Sequence, residues 1–166
     1  ELGDITIIEF DFTPTANTVQ FDFVFGSEEY CEYVGTDFND VFGFFISGPG
    51  IPGVKNLAVI PGTGGIPVTV NNVNHASNTE YYVNNNLNLF QCAFLPADHL
   101  QECELDGWTT PLTALATVIP CATYHIKLAI ADVTDELFDS AVFFRANSFN
   151  AGGTVSASPA YQEDLE

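Results

Sequence analysis

The chain has 166 residues, a formal net charge of −19 and only three cationic side chains, Lys55, Lys127 and Arg145. So acidic a surface excludes nucleic acid as a partner, because phosphate binding needs basic groups, and it disfavours an anionic membrane. The 46% hydrophobic and 13% aromatic content also excludes a disordered acidic tail: the composition is that of one packed domain, 1–166, with a surface of Asn, Thr and Ser.

Taken in chain order, Thr6, Ile8, Phe10 and Phe12 alternate with Ile7, Glu9 and Asp11, the period of a half-buried strand. The segment TPTANT (13–18) turns the chain, and Val19 to Phe25 returns with Phe21, Phe23 and Phe25 on one face. The pair is predicted to be a hairpin. An acidic, turn-rich stretch follows, and then Val41 to Ile46, apolar on both faces as a strand inside a two-layer sandwich would be. GPGIPG (48–53) is a dense breaker cluster. Short strands are expected at Leu57–Ile60 and Val68–Val70, on either side of PGTGG.

Residues 71–88 hold eight asparagines. Asn tolerates turn geometries and bonds its own backbone, so an ordered surface loop is expected there. A single helical turn is expected at 97–101, a turn at Asp106-Gly107, and strands at Leu112–Val118 and Ala141–Ala146. The clearest late strand is Tyr124, Ile126, Leu128 and Ile130, alternating with His125, Lys127 and Ala129. A final strand is expected near Thr154–Ser158; the terminal strands are expected first as ordinary strands of one sandwich, and second as free edges suited to pairing with a neighbouring copy. No long apolar run approaches the ~20 residues of a membrane span, so no membrane insertion is expected. Roughly nine short strands with Gly/Pro turns predict an all-β protein: a jelly-roll-like β-sandwich with long acidic and Asn-rich loops.

Cys31, Cys92, Cys103 and Cys121 lack the CxxC spacing of a zinc site. An even cysteine count with few lysines fits an extracellular protein with two disulfides. Three connectivities are available. Cys92 and Cys103 bracket a short insert, FLPADHLQE, and are expected to close it, which leaves Cys31 for Cys121.

Two loops carry candidate metal ligands. The first supplies Glu28, Glu29, Glu32, Asp37, Asn39 and Asp40, and the second, DVTDELFD (132–139), supplies Asp132, Asp135, Glu136 and Asp139. Neither contains Lys or Arg, so each repels itself unless a cation or solvent screens it. Oxygen donors of this kind suit calcium, which takes 6–8 of them, better than zinc or copper. Glu28, Glu29, Asp37, Asn39 and Asp40 are therefore expected in one or more calcium sites, with Asp132, Asp135 and Asp139 joining them or forming a second. The EF-hand pattern is missing. Catalytic signals are thin. His75, His99 and His125 are scattered, and neither GxSxG nor HExxH occurs. No catalytic residue is assigned, and no enzyme activity is expected. Trp108, Tyr81 and Tyr82 are the aromatics suited to stacking on a sugar.

Four long segments carry a resemblance: residues 23–50 (FVFGSEEYCEYVGTDFNDVFGFFISGPG), 56–74 (NLAVIPGTGGIPVTVNNVN), 106–114 (DGWTTPLTA) and 120–149 (PCATYHIKLAIADVTDELFDSAVFFRANSF). Together they resemble the choice-of-anchor L domain of secreted and surface proteins of bacteria. The resemblance implies a surface-exposed β-rich module, often part of large adhesin-like proteins, with no catalytic activity to carry over. The expected role is adhesion or extracellular structure, including a self-assembling filament. The expected partner is a surface glycan or protein, or copies of the chain itself; a carbohydrate-binding module is the alternative and a hydrolase the third.

Overall fold

Strands whose apolar residues recur at every second position must stack two sheets face to face to bury them. The computed structural model describes residues 2–85, 103–133, 138–152 and 160–161. Among them are strands β1 (Leu2–Phe12), β2 (Thr18–Ser27), β3 (Val41–Gly48), β4 (Ile51–Asn56), β5 (Tyr82–Asn84), β6 (Gly107–Thr109), β7 (Leu112–Thr117), β8 (Tyr124–Val133), β9 (Ser140–Phe144) and β10 (Ala160–Tyr161). They form two antiparallel sheets. The first has the order β10-β1-β8-β3-β4. In the second, β7 and β6 lie along one edge of β2, β9 lies along the other, and β5 pairs with β6. The protein is an all-β sandwich, as its alternation requires.

The core is an aromatic interlock between β2 and β3. Phe23 and Phe25 of one sheet, and Phe42, Phe44 and Ile46 of the other, are each at most 3% exposed. Phe21 meets Phe44 at a ring separation of 5.6 Å, and Phe23 meets Phe42 at 5.2 Å. Such tilted and edge-on pairs are favoured by the ring quadrupole. Phe149 closes one side against Phe10, Phe12 and Phe21. On the outer face of the first sheet the polar half of the alternation forms cross-strand pairs. Glu9 faces Lys127 at 3.2 Å, and Asp11 faces His125 at 2.8 Å. These pairs are exposed, so each contributes at most about 1 kcal/mol.

Several expectations are corrected. β1 and β2 are not a hairpin: β1 pairs with β8 and β2 with β7, so the connection at residues 13–17 crosses from one sheet to the other. Alternation fixes which face a strand buries, not which strand lies beside it. The breaker cluster contains a strand. Gly50, at φ 82°, turns β3 into β4, whose Pro52 is tolerated because β4 is an edge strand. The expected strands at 57–60 and 68–70 appear only as isolated bridges, Val59 to Pro67 and Thr69 to Val41, although their apolar residues are buried. β5 and β6 were not anticipated; three residues are too few for a period to show. The Asn-rich loop is ordered by its own amides: Asn74 donates to Val70 O and accepts from Ala76 and Ser77, and Asn78 donates to Asn72 O. The expected helical turn at 97–101 and strand at 154–158 lie outside the described residues.

The expected disulfides are also corrected. Cys103 and Cys121 carry free thiols, so neither Cys92–Cys103 nor Cys31–Cys121 is formed. Cys121 lies beyond the β7 end that pairs with Thr18, donating to Pro14 O, whereas Cys31 follows Ser27. The length of β2, about 30 Å, separates them, and a disulfide needs Cα atoms within about 7 Å. Cys103 turns its side chain into an apolar groove of the second sheet. Cys31 is buried and disulfide-bonded, and Cys92 lies outside the described residues. Iodoacetamide is expected to label Cys103 and Cys121 without reductant and Cys31 only after reduction. Peptide mapping that found Cys31 alkylated in the unreduced native protein would contradict this assignment.

Candidate functional site

Both acidic loops arise at the same end of the sandwich. β2 ends there at Ser27, paired with Ser140 at the start of β9, and β3 starts there at Val41, paired with Ala131 near the end of β8. At their meeting point lies Asp40, fully buried. Its Oδ1 accepts from Val133 N at 3.1 Å and its Oδ2 from Ser140 Oγ at 2.6 Å. Its own amide donates to Oε2 of Glu29, itself 1% exposed, at 3.2 Å. Glu28 is half-buried, and its Oε2 accepts from Asp139 N at 3.2 Å. Asn39 Oδ1 accepts from Asn71 N at 2.8 Å. Asp132 lies half-buried on β8 opposite Gly3, and Asp37 is exposed. Asp135 and Glu136 lie outside the described residues.

The loops therefore converge, but as a hydrogen-bonded junction. Buried carboxylates must be satisfied, and here N–H and O–H donors supply that need. Among the described residues, no group of three or more His, Cys, Asp or Glu side chains is placed to hold a metal ion.

Beside this junction the Tyr30 and Tyr82 rings pack at a tilt, 4.9 Å apart, and the Tyr82 hydroxyl donates to Asn84 Oδ1 at 3.1 Å. Burial pushes both phenols well above their ordinary range. Asp106, next to β6, is raised to about 7 by burial first and then by the negative charges of Glu32 and Glu28. The acidic end is thus short of positive charge and holds a carboxyl that keeps its proton towards neutrality.

A recess lies elsewhere, on the outer face of the second sheet. Phe143 on β9 is the cross-strand partner of Val24 on β2, and Trp108 on β6 is the partner of both Gly26 and Val83. These side chains form an apolar row across four strands. Leu105, Cys103, Thr110 and Pro111 wall it into a groove of about 460 Å³. Gly26 makes the groove possible: a Cβ there would lie 2.8 Å from Leu105 Cδ1. Phe143 remains 54% exposed, a large apolar surface for a solvated strand. Thr109 Oγ1 accepts from Phe25 N at 3.1 Å, so this hydroxyl is already engaged.

The sequence pointed to Trp108 but not to this setting. Because Val83, not Tyr82, faces Trp108, Tyr82 lies on the opposite face of β5–β6, and the two rings share no stacking platform. The legible signal was that Val24 and Phe143 occupy strand positions whose neighbours in the alternation, Asp22 and Arg145, are charged. His125 serves the Glu9–Asp11 pairs on the other sheet, and His75 lies in the Asn-rich loop. His99 is outside the described residues. Among the described residues, no helix is long and apolar enough to cross a membrane.

A model of the choice-of-anchor L domain matches residues 1–150, and the chain belongs to that family. The family is one of cell-surface and secreted bacterial proteins. No curated protein and no solved structure gives a significant match.

Asp106 provides a pH test of the acidic end. The folded chain holds this proton to about 7, while the unfolded chain releases it near 3.8. Between those values the folded state binds more protons, so stability falls as pH rises through the window. Asp106→Asn is expected to raise the melting temperature at a pH of about 8 and to change it little at about 2.5, below both values, where the carboxyl is neutral in the folded and unfolded chain alike. A melting temperature that Asp106→Asn lowers at the higher pH would contradict the assignment.

Proposed function

We propose that this choice-of-anchor L domain is a non-catalytic attachment module on the bacterial cell surface, holding its partner in the apolar groove beneath Trp108. The single observation that carries the reading is the contiguous row Phe143, Val24, Trp108 and Val83, apolar on a face where a solvated sheet would be polar. Exposed apolar patches of this kind mark binding surfaces. The same lining weighs against the carbohydrate-binding alternative, since a sugar requires several free polar groups beside its stacking ring and Thr109 is already engaged. Against a hydrolase stands the engagement of Asp40 and Glu29 in the hydrogen bonds that fold the loops.

Nile red, a neutral apolar dye, tests whether the groove accepts ligands. Energy transfer from Trp108 is expected to saturate in the native protein and to be lost in Phe143→Asp. Leu115→Ser, which removes another exposed side chain of the same sheet, should retain it. No transfer, or equal loss in both variants, would refute the groove as an attachment site.

A second reading, self-assembly, is favoured by β1. This strand has eleven residues; among the described residues Ile8 and Glu9 pair with β10 on its outer side, and Ile5 and Ile8 are each 47% exposed. An edge of this kind can accept a strand from another copy. Copies carrying −19 repel one another, so this reading gives calcium the role of a screening counterion at the acidic end, not that of a caged ligand. Calcium chloride is then expected to raise both the melting temperature and the sedimentation coefficient above their values in sodium chloride of equal ionic strength. Identical curves in the two salts would remove calcium and calcium-dependent assembly together.

A further inference from the structure

The charge around the groove narrows its occupant. Exposed Glu104 stands between Cys103 and Leu105 at one end. At the other, Asp22 lies on the same face of β2 as Val24, with Arg145 3.6 Å from it. Both lysines of the chain lie on strands of the first sheet, Lys55 on β4 and Lys127 on β8. The described second sheet therefore offers an apolar floor rimmed by carboxylates, with one arginine whose charge is already opposed.

An apolar floor with an acidic rim selects for a ligand of matching pattern. Apolar side chains gain from leaving water, and cations on either side of them complement the rim and are steered by the net charge. A fatty acid would bring another carboxylate, and a second copy of this chain another −19. We propose that the groove binds a segment of a protein partner that presents a few consecutive apolar residues flanked by Lys or Arg. This inference rests on the groove being the attachment site, and it adds the partner's class.

Trp108 is the only tryptophan of the chain, so its emission reads the groove without a label. Three synthetic peptides of equal length serve as probes: an Ile-Leu-Phe core flanked by lysines, the same core flanked by glutamates, and a serine core flanked by lysines. The lysine-flanked apolar peptide is expected to shift Trp108 emission saturably. It should bind roughly tenfold or more tightly than the glutamate-flanked one at low salt, with the difference shrinking as salt screens the rim. The serine-core peptide should give no shift. Phe143→Ser changes an exposed side chain, so its circular dichroism should match the native protein's while its affinity for the lysine-flanked apolar peptide falls.

Equal binding of the lysine- and glutamate-flanked peptides would overturn the basic partner and leave the groove as an attachment site. No shift with either apolar peptide would overturn both readings. A serine-core peptide that binds as well as the apolar one, or unchanged affinity in Phe143→Ser, would reduce the effect to charge attraction outside the groove and overturn the proposal. An emission shift on raising protein concentration alone, accompanied by dimers in sedimentation, would assign the groove to a second copy and overturn it too.

Discussion

A fully buried carboxylate holds one end of this sandwich together. Asp40 stands at the entry to β3, and its two oxygens accept from the last residue of β8 and the first of β9. Its amide donates to Glu29, just past β2. Four strand ends, two from each sheet, thus converge on one residue. Hydrogen bonds to an ionised group are stronger than neutral ones, and removing such a donor or acceptor leaves the remainder buried and unsatisfied. The registers of β2 against β9 and of β3 against β8 place Ser140 and Val133 where they can meet Asp40. The aromatic interlock of Phe21, Phe23, Phe42 and Phe44 depends on the same alignment, because a one-residue slip would turn those rings to solvent.

The two sheets solve the problem of their outer faces differently. The first uses polar pairs directly across the ladder, the ion pair of Glu9 with Lys127 and the hydrogen bond of Asp11 with the His125 ring. The second places Phe143, Val24, Trp108 and Val83 in a row and leaves Phe143 half in water. Nothing in the packing of the core asks for this, since the core-facing set of β2 is Phe21, Phe23 and Phe25. An apolar row on the outside lowers solubility, and the charge of −19 compensates by keeping copies apart. Acidity and groove are in this sense parts of one arrangement, with the carboxylates suppressing unspecific association while the apolar floor retains a complementary partner.

Much of the fold was legible and most of the site was not. β1, β2 and β8 were readable because apolar and polar residues alternate along them, and β3, β7 and β9 because each is a short, mainly apolar run; both patterns are written in consecutive residues. β4 was hidden by Pro52 and Gly53, which an edge strand tolerates. β5 and β6 are too short to carry a period. The acidic loops were readable as loops and as neighbours of the strand ends. That the Asp40 carboxylate would accept from a hydroxyl and a backbone N–H depended on Ser140 and Val133, which lie 100 and 93 positions away from it. The cysteines failed for a related reason, since sequence spacing carries no information on which end of β2 a residue occupies.

By itself the sequence determined the class, the alternation, the family and the sign of the surface, because each is a sum or a period over neighbouring residues. Only the tertiary structure decided which strands lie side by side, which carboxylates are buried, and that Val24, Val83, Trp108 and Phe143 share one face. Those outcomes depend on contacts between residues far apart in the chain, such as Val24 and Phe143, 119 positions apart. Such contacts form only when two sheets must exclude water together, and no stretch of the chain records that requirement on its own.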